Sequence, residues 1–104
     1  MFLKEYKIMR TIIQKDTKVY IYLRNEAVRQ RFSQDADNEG ITFDDGKKVA
    51  ERAVDDIMAL LPGGTICFLG FVGRMCYGSG SADAVRIDYE KYANGEENYL
   101  INSQ

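Results

Sequence analysis

The tripeptide Pro62-Gly63-Gly64 and the run behind it, "TICFLGFVGRMCY" (65–77), constrain this chain more than any other feature. Proline cannot continue a helix or donate to a sheet ladder, and the two glycines that follow it turn the chain. Whatever regular structure precedes residue 62 must stop there. Behind the turn, apolar side chains fill both alternation classes as far as Arg74, so a strand built from this run has no face to give to water. It needs cover on both sides, which places it centrally in a sheet with helices on one face and other structure on the second. Gly70 and Gly73 within the run are expected to mark a bulge, a bend or a close backbone approach.

Upstream of the break, two helices are predicted in succession. Asn25 is a good N-cap, and "EAVRQRFSQDA" sets Val28, Phe32 and Ala36 at i, i+4 and i+8 on one stripe. Gly40 can take the left-handed conformation that closes this helix. Thr42 with Asp45 three residues on resembles a capping box. Phe43, Ala50, Val54, Ile57 and Leu61, with Val49, Ala53 and Met58, then form a broad apolar stripe that predicts a second helix running to Pro62.

The remaining segments read as strands. "YKIMRTII", the turn-like "QKDT" and "KVYIYL" predict a hairpin over the first 23 residues, with Val19, Ile21 and Leu23 on one face and Lys18, Tyr20 and Tyr22 on the other. "GSGS" (78–81) is a loop. "AVRIDYEKY" alternates, with Val85, Ile87 and Tyr89 expected inward and Arg86, Asp88 and Glu90 outward, and Asn94-Gly95 signals a hairpin returning through "ENYLI". No repeat or linker divides the 104 residues, so one domain over 1–104 is expected. The expected fold is α+β: a mainly antiparallel sheet of four to five strands with two consecutive helices on one face, in the order β-β-α-α-β-β-(β).

Composition narrows the function classes. A chain 45% hydrophobic and 29% charged is that of an ordinary globular protein. The N-terminal "MFLKEYKIMR" breaks its apolar residues with charges, so neither a signal peptide nor a membrane span is expected, and a cytoplasmic location follows. Cys67 and Cys76 are then expected to be reduced thiols. The chain contains no histidine, which removes the commonest general base, the usual activator of Ser or Cys nucleophiles and the favoured zinc ligand. A noncatalytic protein without a cofactor is expected. Residues 1–31 carry eight Lys/Arg against three Asp/Glu, residues 32–61 three against eight, and residues 62–104 three against five. The simplest reading is that surfaces of opposite sign neutralise one another.

Four patterns in the sequence are candidate sites. In "SQDADNEGITFDDG", Asp35, Asp37, Glu39 and Gly40 resemble positions 1, 3, 5 and 6 of the EF-hand calcium loop. Position 12, which should supply a bidentate glutamate, is Gly46, so the resemblance covers half a loop and implies weak calcium binding at most. The glycines of "GFVGRMCYGSGS" fit neither a P-loop nor a dinucleotide fingerprint. Asp55-Asp56 are adjacent on the predicted second helix and diverge by about 100°, so they form no dyad.

The last pattern is aromatic and basic. Tyr20, Tyr22, Phe71 and Tyr77, near Lys18 and Arg74, are expected on the sheet face that two helices leave open, where they form a partner-binding surface. The expected partner is another protein or a second copy of the chain in a homodimer, in an accessory or inhibitor role of the kind phages and mobile elements encode. Single-stranded nucleic acid stacking on the same rings is the alternative. No membrane partner is expected.

Overall fold

The computed structural model describes residues 9–70, 73–75 and 85–101. Five strands form one sheet: β1 (Val19–Tyr22), β2 (Thr42–Phe43), β3 (Ile57–Leu60), β4 (Thr65–Phe68) and β5 (Val85–Asp88). Two helices accompany them, α1 (Glu26–Asn38) and the short α2 (Tyr89–Ala93), with 3-10 turns at Met9–Ile12 and Val49–Glu51. Residues 73–75 are also helical, and the Arg74 amide donates to Gly70 O at 3.0 Å.

The strand order is β2-β4-β3-β1-β5. The three inner strands pair antiparallel, whereas β2 joins β4 and β5 joins β1 in parallel. The fold is α+β as expected, but the sheet is mixed rather than mainly antiparallel, and the order of elements differs.

The largest correction concerns the predicted second helix. Of its span, Thr42–Phe43 is a strand, Val49–Glu51 a single 3-10 turn and Ile57–Leu60 the middle strand of the sheet. All four residues of β3 are buried. A short continuous apolar run fits a strand buried on both faces as well as a helix stripe, and here the strand wins because β1 and β4 satisfy both of its edges. The Pro-Gly-Gly break accordingly closes a hairpin. Gly64 N donates to Leu61 O at 3.0 Å, Leu61 N to Thr65 O at 2.7 Å, and Gly64 holds φ +92°. That is a three-residue hairpin loop, whose last position needs the left-handed conformation.

The first expected hairpin is absent among the described residues. Residues 6–8 of its first strand lie outside them, Met9–Ile12 is a 3-10 turn, and β1 pairs with β3 and β5. Of the run 65–77, the described residues are strand from Thr65 to Phe68 and not at 69–70 or 73–75. "AVRIDYEKY" divides at Asp88, whose carboxylate accepts the Lys91 amide and starts α2. Asn94-Gly95 ends that helix instead of turning a hairpin: Gly95 N donates to Tyr92 O and Glu96 N to Lys91 O, each at 3.0 Å, with Gly95 at φ +79°. The chain does return as expected beyond it, through Asp88 N to Tyr99 O at 2.8 Å, Ile101 N to Arg86 O at 2.9 Å and a bridge between Ile87 and Leu100.

Helix α1 follows its sequence signals. Asn25 Oδ1 accepts the Val28 amide at 3.0 Å, and Val28, Phe32 and Ala36 are buried. Ile41 N to Ala36 O and Gly40 N to Asp37 O, at 2.9 and 3.1 Å, close the helix with Gly40 at φ +74°. The buried stripe of α1 joins Val19, Ile21, Leu23, Met58, Leu60, Ile66 and Ile87 from one face of the sheet, with Tyr89 and Tyr92 from α2, in a single core. Phe32 meets Tyr89 edge-on at 5.3 Å between ring centroids.

Candidate functional site

With one stripe committed to the core, the opposite side of α1 is polar: Glu26, Arg29, Gln30, Ser33 and Asp37 recur at helical spacing along it. Facing this stripe is the stretch between the second 3-10 turn and β3. Asp37 Oδ1 accepts the Val49 amide at 3.1 Å and so fixes the turn against the end of α1. At the other end, Leu23 N donates to Asp56 O at 2.7 Å where β3 begins. Between these anchors an open groove of about 600 Å³ runs along α1, with Ala50 to Val54 as its second wall.

The wall is unusual in its backbone. Arg52 is extended (φ −137°, ψ 144°), and the amides of Ala53, Val54 and Asp55 have no hydrogen-bond partner among the described residues. Ala53 and Asp55 are exposed and Val54 is half-buried. The Arg52 side chain is occupied elsewhere, with its guanidinium 2.5 Å from Asp45 Oδ2 and stacked 4.7 Å from the Phe43 ring. That ion pair holds the Asp45 carboxyl below the usual range. Arg29 is the cation left in the groove. Its Nη1 lies 3.7 Å from Glu26 Oε1, and its buried Nε has no hydrogen-bond partner among the described residues.

Of the aromatic and basic residues expected to share a surface, the described ones, Lys18, Tyr20, Tyr22 and Arg74, differ in exposure. Tyr20 is only 5% exposed, and around it on the second sheet face Ile57, Ala59, Arg86 and Asp88 are 8%, 2%, 6% and 5% exposed. That face is covered where an open aromatic patch was expected. Tyr22 is half-buried, and Lys18 is exposed with Nζ 5.7 Å from the centre of the Tyr20 ring. Arg74 bonds Asp56 at 3.0 Å and lies 3.6 Å from Asp55, and these carboxylates raise its pKa. Phe71 and Tyr77 lie outside the described residues, as does Cys76. Cys67, on the covered face, is half-buried, and burial pushes its thiol pKa up.

The acids that resemble half a calcium loop are employed separately. Asp35 Oδ2 accepts the Tyr89 hydroxyl at 2.5 Å, Asp37 holds Val49, and the two Glu39 oxygens take the Met9 and Arg10 amides at 2.8 and 2.9 Å. Each ties α1 to a different neighbour, so the pattern is a set of anchors for the helix. No group of three or more potential metal ligands occurs among the described residues. Asp88 is likewise structural: buried, it receives Arg24 at 2.6 Å, while Glu90 receives the same guanidinium at 3.0 Å.

Sequence reasoning missed the groove because it assigned residues 42–61 to a helix, which would have satisfied the amides of 53–55 internally. The signal was present in Ile57–Leu61, a run too uniformly apolar for the exposed side of an amphipathic helix. No helix among the described residues is long and apolar enough to cross a membrane. No protein-family model matches the sequence, and no match to it was found among the curated proteins or the solved structures.

Proposed function

We propose that this chain is a small noncatalytic protein that acts by binding another macromolecule, a protein in the first instance. The observation that carries the reading is the groove between α1 and residues 50–54. It is a concave surface with main-chain donors that have no partner among the described residues on one wall and a row of polar side chains on the other. Its charged groups are divided between α1 (Glu26, Arg29 and Asp37) and the facing wall (Glu51 and Arg52), no three potential metal ligands group together among the described residues, and histidine is absent from the whole chain. Those features suit recognition better than acid–base or nucleophilic chemistry.

The burial of Tyr20 favours a protein partner over single-stranded nucleic acid, because a ring must be exposed to stack on a base. The ends of the sheet order also bear on self-association. β2 is bridged by Lys48, and β5 by the returning segment at Leu100, so neither edge strand offers a long free ladder to a second copy. The reading is tested by light-scattering mass across a concentration series, together with affinity capture and an oligonucleotide titration. A monomer that captures a protein with little response to salt is the expected result. Oligonucleotide binding that weakens steeply with salt would replace this reading with the nucleic-acid one.

A further inference from the structure

We infer that Asn94-Gly95 is a site of spontaneous covalent modification, where the asparagine is converted to aspartate and isoaspartate, and that the closing turn of α2 is the gate that controls it. The inference is independent of the binding reading above. Of the five asparagines in the chain only Asn94 is followed by glycine, so only there does no Cβ shield the attacking amide. Both residues are exposed to water and base.

The reaction needs no partner but water. Hydroxide removes the Gly95 amide proton, and the nitrogen attacks Asn94 Cγ. A bond forms from Gly95 N to Cγ, the bond from Cγ to Nδ2 breaks, and ammonia leaves. Water then opens the cyclic imide at either carbonyl. Addition at Cγ gives aspartate, and addition at the main-chain carbonyl gives isoaspartate, whose chain runs on through Cγ. One water is consumed for each ammonia released.

The turn opposes each requirement of the first step. Gly95 N donates to Tyr92 O at 3.0 Å, so the proton that must leave is engaged. Asn94 holds φ −84° and ψ −1°, and the imide ring closes only when ψ turns until Gly95 N comes level with Cβ. Arg31 ties the carboxamide and the helix end to α1, donating from Nη1 to Asn94 Oδ1 at 3.2 Å and from Nη2 to Ala93 O at 3.3 Å. Attack therefore waits for the turn to open. Loss of the same Gly95 proton is the first step of base-catalysed amide exchange, so one opening gates both reactions.

The product has a structural consequence. The imide has no N–H for Tyr92 O, and isoaspartate adds a methylene to the main chain inside the turn that Glu96 N closes on Lys91 O. The return to β5, through Asp88 N to Tyr99 O and Ile101 N to Arg86 O, lies just downstream. Isoaspartate at 94 should loosen it.

The test holds the folded chain, and the chain unfolded in guanidinium chloride, at one alkaline pH and temperature while peptide mass mapping follows deamidation. Amide exchange at Gly95 in the folded chain is measured under the same conditions. The unfolded chain should deamidate at Asn94 ahead of the other asparagines. The folded chain should react roughly tenfold or more slowly, and be slowed by at least the protection factor of the Gly95 amide. Arg31→Ala should speed deamidation and Gly95 exchange together, by about threefold to tenfold. The folded and unfolded arms use the unmutated chain, so they stand even if the variant fails to fold. An unfolded chain that leaves Asn94 unmodified would overturn the site. A folded chain slowed by less than the Gly95 protection would overturn the gate, as would an Arg31→Ala variant that moved only one of the two rates or neither.

Discussion

Single residues in this chain do specific work that substitution should expose. Asn25 satisfies one of the free amides at the start of α1, and Asn25→Ala should cost about 1 kcal/mol, read as a lower urea midpoint at unchanged slope. Gly40 holds φ +74°, where an added side chain is strained by about 1–2 kcal/mol, so Gly40→Ala should destabilise and Gly40→Asn should do so less. Tyr89 gives a pH-dependent term. Burial first, and then its bond to Asp35, raise the phenol pKa well above its ordinary value. The raised folded pKa means this contribution is fully present below the unfolded value of about 10 and is lost as pH rises beyond it. Above that pH the unfolded chain releases the proton that the folded chain retains, and stability should fall by ~1.4 kcal/mol per pH unit from this group. In Tyr89→Phe that share of the slope should vanish, leaving the smaller effect of Tyr92, whose hydroxyl pairs with Thr11 and whose pKa burial also raises. Equilibrium unfolding of the two proteins between pH 9 and 11 measures the difference.

At the level of elements, the sequence was most legible where local chemistry and tertiary context agree. The cap at Asn25, the stripe Val28-Phe32-Ala36 and the stop at Gly40 specify α1 from start to finish. The same devices misled where context overruled them. Gly95 looked like the second position of a two-residue hairpin, yet the closing turn of a helix needs the same positive φ, and that is how it is used. Thr42 with Asp45 resembled a capping box, but Phe43 N donates to Lys47 O at 2.9 Å and closes a tight turn there instead. A spacing of apolar residues records which positions are buried and not which backbone buries them. Gly64 reports on the hairpin that replaced the expected helix end. Its φ of +92° already disfavours a side chain, and an added Cβ would fall 3.0 Å from the Arg10 guanidinium. Gly64→Ala should therefore cost about 1–2 kcal/mol, against a few tenths for Gly63→Ala, whose neighbourhood is open.

For the molecule as a whole, one core joins α1, α2 and one sheet face, and the largest side chain that α1 gives it is Phe32. Phe32→Ala should cost about 3–5 kcal/mol, a large share of the stability of a domain this size, and thermal unfolding should show it. The candidate groove exists because residues 52–55 enter neither a helix nor the sheet. No residue type announces that. In the sequence Arg29 and Ser33 are visible only as positions off the apolar stripe of a helix and Asp37 as part of half a calcium loop, and the wall opposite them is hidden inside a wrong assignment. Backbone hydrogen exchange on the free protein tests both the corrected fold and the open wall at once. The account predicts that the amides of Ile57–Leu60 exchange only through global unfolding, while those of Ala53, Val54 and Asp55 exchange within about tenfold of unstructured-chain rates. Protection of residues 53–55 equal to that of β3 would contradict it.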